Sequence, residues 1–110
     1  MTSKTDEYQK ELEKLNKIFE SIEPDKRDLV QGLIQDAAFL LSENITLRSI
    51  IDRTGMIKVH PQYEDIQKPT EAAKQYLKNV NSYSVVIKTL SGILNKSIME
   101  QDEDELGEYE

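Results

Sequence analysis

Apolar residues recur at helical spacing along three stretches of the chain, and the longest runs from Asp25 to Gly55. Leu29, Val30, Leu33, Ile34, Ala37, Ala38, Leu40, Leu41, Ile45, Leu47, Ile50 and Ile51 form one broad face with no internal proline. Pro24 stands where a first helical turn tolerates it, and Thr54-Gly55 stands where a helix terminates. The pattern predicts a helix roughly 45 Å long, at 1.5 Å rise per residue. A face this wide requires cover from elsewhere.

Before it, Tyr8, Leu12, Leu15, Phe19 and Ile22 step along a second helix, predicted from Asp6 and broken at Glu23, since the residue before proline avoids the α region. Glu7 and Glu11 with Lys10 and Lys14 offer ion pairs at helical spacing. So few apolar side chains predict loose docking, or a helix that swings. After the central helix, Ala73, Tyr76, Val80, Tyr83, Ile87, Leu90 and Leu94 make the cleanest heptad, starting near Pro69-Thr70 and fraying near Asn95 or Ser97. Gly92 costs this third helix about 1 kcal/mol against alanine, and burial must offset that.

Read as heptads, the central helix has a seam of Lys26, Val30, Leu33, Ala37, Leu40, Asn44, Leu47 and Ile51. A polar Asn44 there is the device by which coiled coils fix register. The broad face also accommodates the placement favoured here, with Asn44 towards water and Leu41, Ile45 and Arg48 turned inwards. The link differs in kind. Met56-Ile57-Lys58-Val59-His60 has alternating β-branched residues and is the one strand the pattern suggests. No second segment matches it in quality, so it is expected to remain an extended loop or to pair with a neighbouring subunit's copy. Pro61–Ile66 reads as a turn.

Composition sharpens this picture. The 110 residues suit one domain, and 37% hydrophobic with 32% charged residues favours long, partly exposed helices over an α/β enzyme. Without cysteine there are no disulfides or thiolate metal sites. The net charge of −7 is local: residues 100–110 hold seven acids and no base, so the other 99 residues are neutral. Residues 20–52 hold seven acids and three bases, whereas residues 66–99 hold five bases and one acid. The two long helices are therefore expected to return antiparallel, with opposite charges favouring contact. The expected architecture is all-α: an N-terminal helix (1–23), a helical-hairpin oligomerisation core (24–99) with a short extended or β link, and a disordered acidic tail (100–110).

Candidate chemistry is sparse. His60 is the only imidazole, lacks partners at triad spacing, and reads as a surface residue. Glu64-Asp65 and Asp102–Glu105 lack the context of a metal loop and read as solvated charge. No glycine-rich phosphate loop, GxSxG or HExxH occurs, so neither an enzyme nor a cofactor is expected. Lys4, Lys10, Lys14 and Lys17 form a basic stripe suited to phosphates, although Glu11, Glu13 and Glu20 nearby suit an ordinary solvated face. Leu106 and Tyr109 within the acidic tail are apolar anchors of the kind that fold onto a second protein. No apolar run reaches membrane-spanning length and the start carries no signal-peptide pattern, predicting a soluble cytoplasmic protein.

The run Pro24-Asp25-Lys26-Arg27-Asp28-Leu29-Val30, with Leu33-Ile34 and Ala37-Ala38-Phe39, resembles the central helix of short small subunits of bacteriophage terminase. His60-Pro61-Gln62-Tyr63, Ala72-Ala73-Lys74-Gln75-Tyr76, Asn81-Ser82-Tyr83 and Ile87–Leu94 continue the resemblance, which covers about residues 24–105. It implies a non-enzymatic DNA-packaging component in the host bacterial cytoplasm. Such subunits form a homo-oligomeric ring, recognise double-stranded viral DNA and engage the large terminase subunit, an ATPase-nuclease. Carried onto this chain, it points to Lys4, Lys10, Lys14 and Lys17 for DNA and to Asp102, Glu103, Asp104, Glu105, Leu106 and Tyr109 for the large subunit. A ring interface is expected over Leu29, Ile34, Leu41 and Asn44. The chain departs from the family in having no helix-turn-helix before Pro24. The competing expectation is a coiled-coil adaptor or assembly chaperone with no DNA role.

Overall fold

A computed structural model describes residues 3–108, with side chains as far as Glu103. The order is α1 (Lys4–Ile18), α2 (Pro24–Thr54), β1 (Ile57–Val59), β2 (Gln67–Pro69) and α3 (Glu71–Glu108). The fold is a long antiparallel helical hairpin, α2 against α3, with α1 laid along it. Lys26 at the start of α2 bonds Glu100 late in α3 at 3.3 Å, and Arg48 near the end of α2 bonds the Tyr76 hydroxyl at 3.3 Å. The molecule extends 76 Å along its principal axis and 29 and 19 Å across it.

Local chemistry sets the boundaries. Ser3 caps α1 through a capping box: its hydroxyl accepts from the Asp6 N–H at 3.1 Å, and Asp6 accepts from the Ser3 N–H. Such a cap is worth about 1 kcal/mol, and it starts the helix two residues before Asp6. The helix stops at Ile18, earlier than its apolar spacing suggests. The Arg27 guanidinium reaches the Ile22 carbonyl at 3.4 Å and the Glu20 carbonyl at 3.5 Å, partnering turn carbonyls that no helix satisfies. Gly55 ends α2 with φ 79° and ψ 168°, a conformation restricted to glycine, and its N–H bonds the Ile51 carbonyl at 2.6 Å. Thr70 caps α3, its hydroxyl accepting from the Ala73 N–H at 3.2 Å.

The core lies where three helices meet. Leu15, Phe19 and Ile22 pack with Val30, Ile34 and Ala37 of α2 and Leu90 of α3. Contrary to the expectation of loose docking, α1 is seated against both long helices. Its few apolar side chains suffice because they meet the α2 face at Val30, Ile34 and Ala37, in the first half of that helix. Lys4 closes the far end of α1 by an ion pair with Glu43. Beyond Glu43, α2 and α3 continue as a two-helix stem.

Two expectations are corrected here. Met56–His60 is neither a lone loop nor a strand awaiting another subunit: Ile57, Lys58 and Val59 pair antiparallel with Pro69, Lys68 and Gln67. The bonds from the His60 N–H to the Ile66 carbonyl and from the Thr70 N–H to the Met56 carbonyl, both 2.9 Å, continue that register. They place Ile57↔Pro69 at a non-hydrogen-bonded position, where proline's missing N–H costs nothing. Secondly, α3 does not end near Asn95 or Ser97. Its backbone stays helical through the acidic segment to Glu108.

Candidate functional site

The stripe read as a phosphate contact is largely neutralised. Lys4 pairs with Glu43, Lys10 lies 3.9 Å from Glu7, and Lys14 lies 3.2 Å from Glu11. Of the four lysines, only Lys17 is exposed without an ion pair among the described residues. Lys10 and Lys14 each stand three residues after an acid, Glu7 and Glu11, so the helical turn that displays them also supplies their partners.

Glu11 belongs to the interior. It is 6% exposed, and the Tyr83 hydroxyl donates to its Oε1 at 3.2 Å while Lys14 bonds its Oε2 at 3.2 Å. Burial, and then the charge and hydrogen bond of Glu11, push the Tyr83 hydroxyl up to about 12 from 10.0. The pair ties α1 to α3 across 72 residues of sequence.

The expected interface residues divide. Leu29 is 63% exposed beside a groove of about 180 Å³ lined by Lys26, Ile93 and Lys96. Leu41 is half-buried. Ile34 and Asn44, at 1% and 3% exposure, are covered within the chain and present no surface to a neighbour. Ile34 is taken by the core that α1 completes. Asn44 is turned inwards rather than towards water, and no described donor reaches its Oδ1. Phe39, 55% exposed and outside the apolar face read from the sequence, joins Leu29 as an uncovered α2 side chain.

At the other end of the chain Asp102 and Glu103 are exposed on α3. The side chains of Asp104, Glu105 and Leu106, and all of Tyr109, lie outside the described residues. Among the described residues no three His, Cys, Asp or Glu side chains stand together as a metal site, and no helix is long and apolar enough to cross a membrane.

The β-hairpin carries the chemistry that sequence reasoning missed. Every residue of both strands is exposed, including Ile57 and Val59, and so are Tyr63 and Ile66 in the turn. His60 organises that turn: its Nδ1 accepts from the N–H groups of Gln62 at 3.1 Å and Tyr63 at 3.2 Å. With Nδ1 an acceptor, the neutral ring carries its proton on Nε2. The Tyr63 ring stands 5.2 Å from the imidazole. Lys58 and Lys68 are direct cross-strand partners on one face. Both line a cleft of about 810 Å³ at the foot of the hairpin, with Ile50, Thr54, Thr70, Glu71 and Lys74, and both line a second of about 250 Å³ beside His60 and Ile66. Lys58 stands out in the sequence only as the polar member of an alternating strand, and Lys68 not at all.

No protein-family model, curated protein or solved structure matches this chain.

Proposed function

We propose that this chain is a small terminase subunit of a bacteriophage, working in the cytoplasm of the bacterial host as a ring of identical copies that brings viral DNA to the large terminase subunit. The observation that carries the reading is a long helical hairpin whose central helix, already packed against α1 and α3, still exposes Leu29 and Phe39. Single exposed apolar side chains are ordinary on a protein surface, and a ring would bury these two between copies. The helical acidic segment extending from the core supplies a separate surface for the large subunit. In this role the chain supplies recognition and geometry, and the large subunit supplies the chemistry.

Light scattering coupled to size exclusion tests the assembly. A closed ring of several copies is expected, and a monomer or simple dimer at micromolar concentration would count decisively against the reading. Retention of a large terminase subunit by the full chain, with loss after removal of residues 100–110, tests the acidic surface.

The pairing of Lys4, Lys10 and Lys14 with carboxylates favours a second reading, an adaptor without a DNA role. It predicts no salt-sensitive DNA binding at all.

A further inference from the structure

We infer that the β-hairpin is a phosphate-gripping element, and that Lys58 and Lys68 clamp the backbone of double-stranded DNA between them. The inference rests on the DNA-packaging reading and moves its DNA contact from α1 to the opposite end of the hairpin.

Lys58 faces Lys68 directly across the ladder, and like charges at facing positions destabilise a strand pair. The ribbon has two strands of three residues and no buried side chain, so nothing in it compensates that repulsion. Neither lysine has an ion pair among the described residues, in contrast to Lys4, Lys10 and Lys14. An anion seated between the two ammonium groups converts the repulsion into a two-point grip.

The two clefts that these lysines share hold one carboxylate, Glu71, which is bonded to Lys74 at 3.2 Å. The linings are therefore net positive in a chain whose total charge is −7. Exposed Tyr63 and the His60 Nε2–H stand along the same ribbon, giving an aromatic face and a further donor. A two-stranded ribbon is also narrow enough to enter a major groove.

Because α2 and α3 are antiparallel, the hairpin closes one end of a 76 Å rod, while the segment carrying Glu100, Asp102 and Glu103 leaves from the other. A polyanion is repelled from the acidic end but not from the hairpin end, where Arg53, Lys58, Lys68 and Lys74 balance Asp52, Glu64, Asp65 and Glu71, and this difference fixes which way round the subunit meets DNA.

Fluorescence anisotropy with a labelled duplex, using the full chain at about 50 and 200 mM salt, tests the assignment. Lys58→Glu with Lys68→Glu is expected to weaken binding at least about tenfold and to reduce the salt slope by about one, for the gripped phosphate no longer neutralised. Lys58→Arg with Lys68→Arg is expected to retain binding. Lys10→Glu with Lys17→Glu serves as the comparison and should change binding far less. Circular dichroism confirms that the exposed substitutions leave the helices intact. Lysines that merely keep the open strand edges from pairing would leave affinity unchanged on reversal, and that result overturns the hairpin assignment while DNA recognition stands. If the unaltered chain binds no duplex even at low salt, DNA recognition fails and the hairpin assignment fails with it.

Discussion

Tyr83 of α3 donates its hydroxyl to the buried carboxylate of Glu11 on α1 at 3.2 Å, the one hydrogen bond described between the first helix and the third. Removing the donor leaves a buried carboxylate with Lys14 as its only described partner. Tyr83→Phe is expected to lower stability by about 1–3 kcal/mol, measured by urea unfolding at neutral pH. An unchanged midpoint would mean that water replaces the hydroxyl at no cost.

The same bond sets a pH dependence. The Tyr83 hydroxyl is raised from 10.0 to about 12 in the folded chain, so the folded state holds this proton more tightly than the unfolded state. Its contribution to stability is complete below pH 10 and is lost as pH rises from 10 to about 12. Lysine deprotonation falls in the same range, so the informative quantity is the difference between the native chain and Tyr83→Phe. The gap between their thermal midpoints should narrow across that window; a constant gap would refute the linkage.

Gly55 joins helix to hairpin, and its φ of 79° with ψ 168° excludes side chains although nothing crowds the added Cβ closer than 3.7 Å. Gly55→Ala is expected to cost about 1–3 kcal/mol through backbone strain alone. Gly32→Ala provides the contrast, since it lies in the middle of α2 with open space around it and should stabilise by up to about 1 kcal/mol. Thermal melts of the two variants should therefore move in opposite directions.

These features mark what the sequence makes legible. The central helix, expected over 25–55, occupies Pro24–Thr54, because a proline at its start, a glycine at its end and an apolar period between them all agree. The β2 strand is hard to read because Gln67-Lys68-Pro69 has no β-branched residue and a proline that normally argues against a strand; it pairs because that proline sits where no donor is needed. The extension of α3 is masked by its acids, which oppose the dipole at a helix C-terminus. Glu11 and Asn44 are unreadable for a different reason: burial of a polar side chain is decided by elements distant in sequence, as Tyr83 shows for Glu11. The lysine stripe is real as a pattern, but whether it is free depends on Glu43 of another helix and on i,i+3 acids.

Asn44 is expected to be a cost carried within the fold. Its side chain is almost fully buried, with an Oδ1 that no described donor reaches, and such a group forfeits its hydration without return. Asn44→Leu, close to isosteric, is expected to raise stability by about 1–3 kcal/mol by urea unfolding. A loss instead would show that the amide has a bridging water or a register-fixing role worth more than its desolvation.

Leu29 and Ile34 separate folding from assembly, since they lie five residues apart on α2 and share a chemistry but not an environment. Ile34 is 1% exposed at the junction of all three helices, so Ile34→Ala opens a cavity and should cost about 2–5 kcal/mol. Leu29 is 63% exposed, and Leu29→Ala should change the unfolding of the isolated chain by no more than about 0.5 kcal/mol. If copies pack through the outer side of α2, Leu29→Asp places a charge between them and should shift the light-scattering mass towards the monomer, with helicity unchanged. A variant that keeps its full mass would place the interface between copies elsewhere. One that melts as Ile34→Ala does would show that Leu29 is covered within the chain.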